Sequence, residues 1–177
     1  WIPPGALAWA RLTLRENARP GAADHLAEPW AVPLAEARLS TFLAADRNNS
    51  ADSEAEDTFL SGQIVDMQSL LNVANLVEAG RVNDAGLRSF SRLFELLGLP
   101  QAQLNRLAEN LRFASHITVD NRSAAQAPLQ PQQLADLVWL GLAPETVAAL
   151  EPYVTVLPSR TAVNLNTAGA EVIYAAV

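Results

Sequence analysis

Between Asn75 and Leu150 the apolar positions fall at three- and four-residue intervals, the spacing that lays them along one face of a helix. Leu87, Phe90, Leu93, Phe94 and Leu97 make the clearest such stripe, and Gly98 follows where a glycine ends a helix. Pro100 opens a second predicted helix with Leu104, Leu107 and Leu111. Pro131 opens a third with Leu134, Leu137, Val138 and Leu140, and Pro144 a short fourth with Val147 and Leu150. Between the second and third, Asp120 to Gln133 is polar, rich in alanine and proline, and reads as a long surface loop.

The flanks of this helical block follow other patterns. Gly5 to Asn17 lacks proline and predicts a helix that stops near Arg19-Pro20-Gly21. Asp24 to Pro33, with two prolines and Trp30, reads as a packed connector. Leu39, Thr41 and Leu43 alternate, as do Phe59, Ser61, Gln63, Val65 and Met67, and the polar stretch between them predicts a β-hairpin; Leu39, Phe42 and Leu43 also suit a helix. Near the end, Tyr153 to Leu157 and Val163 to Asn166 are β-prone. Thr167 onward predicts a helix with Asn166 or Thr167 as N-cap.

The resulting order is helix, strands, several helices, strands, helix, an α+β class with a helical block between β segments. It divides the chain into an N-terminal helix and hairpin at 1–71, an inserted helical domain at 72–152, and return strands with a further helix at 153–177.

Composition narrows the function. Half of the 177 residues are hydrophobic and the net charge is −7, so the chain can bury a core and lacks the basic surface that polyphosphates select. Every basic residue is arginine. The absence of cysteine excludes disulfides, thiolate metal sites and a cysteine nucleophile. No apolar run approaches the roughly 20 residues that span a bilayer. Trp1 is not an initiator methionine and Val177 falls inside an apolar, helix-like segment, so both ends read as cut, and the lack of an anchor or export signal in this stretch argues nothing about the native protein.

Candidate chemistry is sparse. Asp46, Asn48, Ser50, Asp52, Glu54 and Asp57 occupy positions 1, 3, 5, 7, 9 and 12 of a polar loop, the alternation with which oxygen ligands surround a hard cation. Ala51 stands where the sharp turn of a calcium loop asks for glycine, and Asp57 where a longer glutamate is usual. The bland alternative is a solvated hairpin tip. His25 and His116 lack partners at zinc-ligand spacing. Nucleophile elbows and glycine-rich phosphate loops are missing. Asn72, Asn75, Asn164 and Asn166 cluster where β-like runs pass into helices, which suits caps, and Asp66 reads as a satisfied structural carboxylate.

Three stretches together resemble the K-type minor pseudopilin of bacterial type II secretion systems, general secretion pathway protein K. A family stretch of the form Asp-x-Leu-x-Glu-x-Trp-Ala is matched by Asp24, Leu26, Glu28, Trp30 and Ala31. Gly62, Ile64, Asp66 and Gln68 match a second, which continues through Asn72, Asn75 and Leu76 with Ala74 replacing an asparagine. Tyr153 to Pro158 and then Asn164, Asn166, Thr167, Ala168, Glu171 and Val172 match a third.

The resemblance implies a pilin-like fold, with an N-terminal helix packed on a small sheet and a large helical domain inserted. It also implies an assembly role without catalysis, at the tip of a periplasmic pseudopilus. The implied partners are the I-, J- and H-type minor pseudopilins, with the I- and J-types closest. An N-terminal membrane helix, missing from this chain, would hold the protein in the inner membrane before assembly. The family's acidic calcium stretch is not matched by Ile117 to Arg122, which leaves the Asp46 to Asp57 loop as the expected place for weak calcium binding.

Two other classes compete. Asn164-Leu165-Asn166-Thr167-Ala168 before a helix also begins helix-hairpin-helix nucleic-acid modules, yet Thr161 to Val177 holds no basic residue to face a phosphate. An enzyme with an acidic metal site would require a concave pocket with perturbed carboxylates near Asp46 to Asp57. Under the assembly reading, a stripe of Leu7, Ala10 and Leu14 on the first helix meets a neighbouring subunit, or else packs on the protein's own sheet.

Overall fold

A computed structural model describes residues 4–18, 23–38, 59–115 and 127–177. Its contacts divide the chain into two units, Trp1–Val65 and Asp66–Val177.

In the first unit, helix α1 spans Pro4–Asn17. Pro4 sits in the first turn, where a missing N–H breaks no helical bond. The predicted connector contains a short 3-10 helix, Pro29–Ala31, that buries Trp30. The predicted hairpin is present with its strands shifted. Strand β1, Leu34–Arg38, pairs antiparallel with β2, Phe59–Gly62, setting Ala37 opposite Leu60 and Arg38 opposite Phe59. The alternation of Leu39, Thr41 and Leu43 lies outside the described residues. Beyond Gly62 the β-like run fails, because Asp66 caps a 3-10 helix at Met67–Ser69 by accepting from the Gln68 N–H.

The second unit is built around one hydrophobic core. Strand β3, Leu71–Asn72, leads into a 3-10 helix, Val73–Leu76, and a tight hairpin of β4, Val77–Glu78, with β5, Arg81–Val82. Positive φ at Ala79 and Gly80 supplies the backbone twist that a two-residue hairpin turn needs. Helix α2, Asp84–Leu96, follows with Asn83 as N-cap. Its stripe of Phe90, Leu93 and Phe94 is fully enclosed by Leu104 and Leu107 of α3, Gln101–Ser115, together with Leu76, Leu137, Leu140, Leu150 and Val172. Gly98, at φ +66°, ends α2 as expected: its own N–H reaches the Glu95 carbonyl and the Leu99 N–H the Phe94 carbonyl.

The segment predicted as a third α-helix from Pro131 is a 3-10 helix instead, Leu134–Leu140, beginning after Gln133. A period near three lets Leu134, Leu137 and Leu140 face inward together, so the apolar spacing fits either geometry. Helix α4, Pro144–Leu150, opens on its proline as predicted. Only Val154–Thr155 of the next β-prone run forms a strand, β6, which lies parallel to β3 with Leu71 opposite Val154 and Asn72 opposite Thr155. The ends of the 73–153 stretch are therefore side by side. Val163 to Asn166 forms no strand, and the last helix, α5, spans Ala170–Ala176 with Gly169 as N-cap in place of Asn166 or Thr167. The architecture is thus mixed, helices with small two-stranded sheets.

Candidate functional site

The chain from Val156 to Gly169 has no regular structure among its residues, so its backbone polar groups need partners from elsewhere. They find them in the asparagine clusters. Asn72 is completely buried, and its carboxamide donates to the Ser159 carbonyl at 2.7 Å and the Thr161 hydroxyl at 3.0 Å while accepting from the N–H of Ala74 and of Leu157. Asn75 donates to the Thr161 carbonyl at 2.7 Å and accepts from the Thr161 N–H at 3.1 Å. Its carboxamide thereby plays the part of a neighbouring strand residue.

Asp66 closes the far end of this strap. One carboxylate oxygen accepts from the Gln68 N–H at 2.8 Å; the other accepts from the Thr167 hydroxyl at 2.7 Å and the Asn164 carboxamide at 3.0 Å. Asn164 in turn folds its own turn by accepting from the Asn166 N–H, and its backbone N–H reaches the Gln68 carbonyl. Asp66 is a satisfied structural carboxylate, as its surroundings in the sequence suggest. Thr167 is drawn to Asp66 across the fold, which is why the last helix takes its cap from Gly169.

Gly86 makes the strap's support possible. A Cβ on this residue would come within 2.1 Å of the Asn75 carbonyl oxygen, so only glycine lets α2 approach the 3-10 turn that presents Asn75.

Beside the strap lies a cleft of about 510 Å³, walled by Leu71, Asn75, Gly86, Phe90, Arg160 and Thr161 among others. No Asp, Glu or His lines it. Asn75 is bound to the strap, Asn83 donates to Glu78 and accepts from the Gly86 N–H, the Ser89 hydroxyl donates to the Ala85 carbonyl, and Arg160 is paired with Glu78. The polar side chains named here are thus engaged within the fold itself.

In the first unit, Glu28 is the organising group. One of its oxygens accepts from the Trp30 indole N–H at 2.6 Å, from the His25 backbone N–H and from the Asn17 carboxamide, tying the connector to the end of α1. The Trp30 bond chiefly, with those from His25 and Asn17, holds the Glu28 carboxyl below its usual pKa against the opposing effect of burial. Glu28 and Trp30 are the last pair of the Asp-x-Leu-x-Glu-x-Trp stretch, now given a mechanical reason. His25 itself is exposed.

α1 presents an apolar surface outward: Leu7 is 44% and Leu14 42% exposed, with Ala10 half-buried beside them. Asp46, Asn48, Ser50, Asp52, Glu54 and Asp57 lie outside the described residues, as do His116 and the Ile117 to Arg122 stretch. Among the described residues no three His, Asp or Glu side chains are grouped to hold a metal ion, and no helix is long and apolar enough to cross a membrane.

The polar side chains of the strap hold backbone in place, and α1 carries exposed leucines. Residues 69–159, a little over half of the chain, match the family model for type II secretion system (T2SS) protein K. The chain belongs to that family, whose members are structural pseudopilins and not enzymes. No match to a curated protein was found. A chain of the crystal structure of the GspK-GspI-GspJ complex from the enterotoxigenic Escherichia coli type 2 secretion system is similar in fold, with a TM-score of 0.67 over 97% of this chain at 19% identity. The present chain spans 63% of that chain's length.

Proposed function

We propose that this protein is a minor pseudopilin that works by packing against sister subunits at the tip of the type II secretion pseudopilus, supporting export across the outer membrane. The observation that carries the reading is the family match over residues 69–159. The complex in which the similar solved chain was crystallised supports I- and J-type pseudopilins as its nearest partners, with an H-type subunit as the next neighbour. On this reading the chain adopts a pilin-like core, residues 1–71 and 153–177, with 72–152 as its inserted helical domain. It resides in the periplasm, held in the inner membrane before assembly by a helix preceding the present sequence.

α1 supplies the docking face. Exposed leucines at Leu7 and Leu14, seven residues apart, align along a helix to within about 20°, which suits the seam between two helices. Co-purification with I- and J-type subunits tests the reading. Capture of both by the wild-type chain, and its loss with Leu7→Asp/Leu14→Asp, is the expected result; absence of capture by a folded wild-type chain contradicts it. A nucleic-acid role would instead appear as a gel shift at low salt.

Weak calcium binding by Asp46, Asn48, Ser50, Asp52, Glu54 and Asp57 is a separate part of the proposal. It is supported by the oxygen-bearing side chains at alternate positions of that loop.

A further inference from the structure

In a chain of net charge −7, helix α1 carries two arginines and one glutamate. Arg11 and Arg15 are both exposed, and no described carboxylate lies in ion-pair range of either. At 3.6 residues per turn, Arg11 lies about 40° round the helix from Leu7, and Arg15 about 40° further in the same sense. Beyond them on that side stands Leu12, 57% exposed. The arginine pair therefore runs as a row between two apolar borders, Leu7 with Leu14 on one side and Leu12 on the other.

Position of this row constrains what can cover the helix. A partner that buries the leucines on both sides necessarily takes the two guanidinium groups out of water. A buried cation without a counter-charge is strongly unfavourable, whereas one met by a carboxylate in bidentate geometry is not. Arg15 also lies in the last turn, where a cation complements the helix dipole; Arg11 is outside that turn and has no such role. An anionic membrane surface fits less well, because interfacial helices keep their charges opposite the apolar face and not between two parts of it.

Resting on the pseudopilin reading above, we infer that the α1 docking face is a charge-selective one: its occupant is a helix of a sister subunit presenting two carboxylates about one turn apart, which pair with Arg11 and Arg15 when the leucines are covered. The spacing follows from the four-residue separation of the arginines, since two nearly parallel helices keep the same rise per turn. The apolar borders provide attraction, and the arginine row chooses between apolar helices that would otherwise compete.

The test is equilibrium binding of purified I- and J-type subunits, singly and together, to the wild-type chain, to Arg11→Glu/Arg15→Glu, and to Leu7→Asp/Leu14→Asp, each checked for folding by circular dichroism. The account expects charge reversal to weaken binding by about tenfold or more. It also expects partial recovery when the facing carboxylates are changed to arginine. Unchanged affinity on charge reversal, alongside loss with the leucine variant, overturns the inference and leaves the pseudopilin reading standing. No binding by the wild-type chain removes both. Association with phosphatidylglycerol vesicles that is lost on charge reversal, without any such effect on subunit binding, assigns the row to lipid and also overturns it.

Discussion

Asn75 and Thr161 are 86 residues apart in sequence, yet the carboxamide of one exchanges two hydrogen bonds with the backbone of the other, donating to its carbonyl at 2.7 Å and accepting from its N–H at 3.1 Å. A single side chain thereby replaces a strand partner for a stretch that belongs to no sheet. Asn75→Ala leaves both backbone groups of Thr161 without that partner. We expect a loss of about 1–3 kcal/mol in urea unfolding, with Asn75→Asp also destabilising because it exchanges the donor for a charge. Wild-type stability in both variants would show that water serves the strap equally well.

Gly86→Ala tests the same support from below. The added methyl would sit 2.1 Å from the Asn75 carbonyl oxygen, which is main chain and cannot swing away. Separation of α2 from the 3-10 turn is the expected consequence, with a cost of about 3 kcal/mol and faster amide exchange at Thr161. A substitution that left stability unchanged would mean that the two segments are not packed so closely.

The acid response should be traceable to Asp136. This buried carboxylate accepts from the Gln132 N–H at 2.9 Å and from the backbone and side chain of Gln133, and the Gln132 bond chiefly, assisted by Gln133, lowers its pKa below the usual 3.8 against the effect of burial. A lowered folded-state value means that the unfolded chain takes up the proton first as pH falls. Its stabilising effect is therefore complete above the unfolded pKa and disappears as pH drops through the folded one. Unfolding curves should show Asp136→Asn less stable than wild type by a constant amount above about pH 5, with the gap narrowing in more acidic solution. A gap independent of pH would assign the defect to packing alone.

Calcium binding is checked by calorimetry on the intact chain. Heat of binding that weakens with Asp52→Ala is expected if the alternating oxygens of Asp46, Asn48, Ser50, Asp52, Glu54 and Asp57 gather round one ion. No heat with the wild-type protein, or none lost in the variant, removes the site.

The elements legible in the sequence are those whose stability is local. The Leu87 to Leu97 stripe, with Gly98 after it, carries its buried face and its stop within one stretch, and α2 forms there. Pro144 likewise announces α4. The missed elements depend on distant partners. β3 is two residues long and exists only because the chain returns beside it after 73–153 as β6, the part of the β-prone Tyr153 to Leu157 run that pairs with it, a meeting that no local pattern encodes. Thr167 has the composition of an N-cap, but Asp66, 101 residues earlier, takes its hydroxyl.

The same distinction applies to function. The asparagine clusters were readable as structural because their residue type favours backbone bonding, while their actual partners at Ser159 and Thr161 were not, since those bonds cross more than eighty residues. Glu28 and Trp30 were visible only as parts of a recurring stretch; the short bond between them explains why both are needed. Apolar spacing on α1 selects Leu7, Ala10 and Leu14 and is blind to the arginine row, whose signal is the helical offset of Arg11 and Arg15 from that stripe.

The most direct measurement is the mass of the species formed when the folded chain is mixed with I- and J-type pseudopilins, read by light scattering behind gel filtration. The account predicts a single complex containing all three proteins, lost with Leu7→Asp/Leu14→Asp. Separate elution of a folded wild-type chain at its monomer mass of 19.0 kDa, whatever the subunits present, would contradict it.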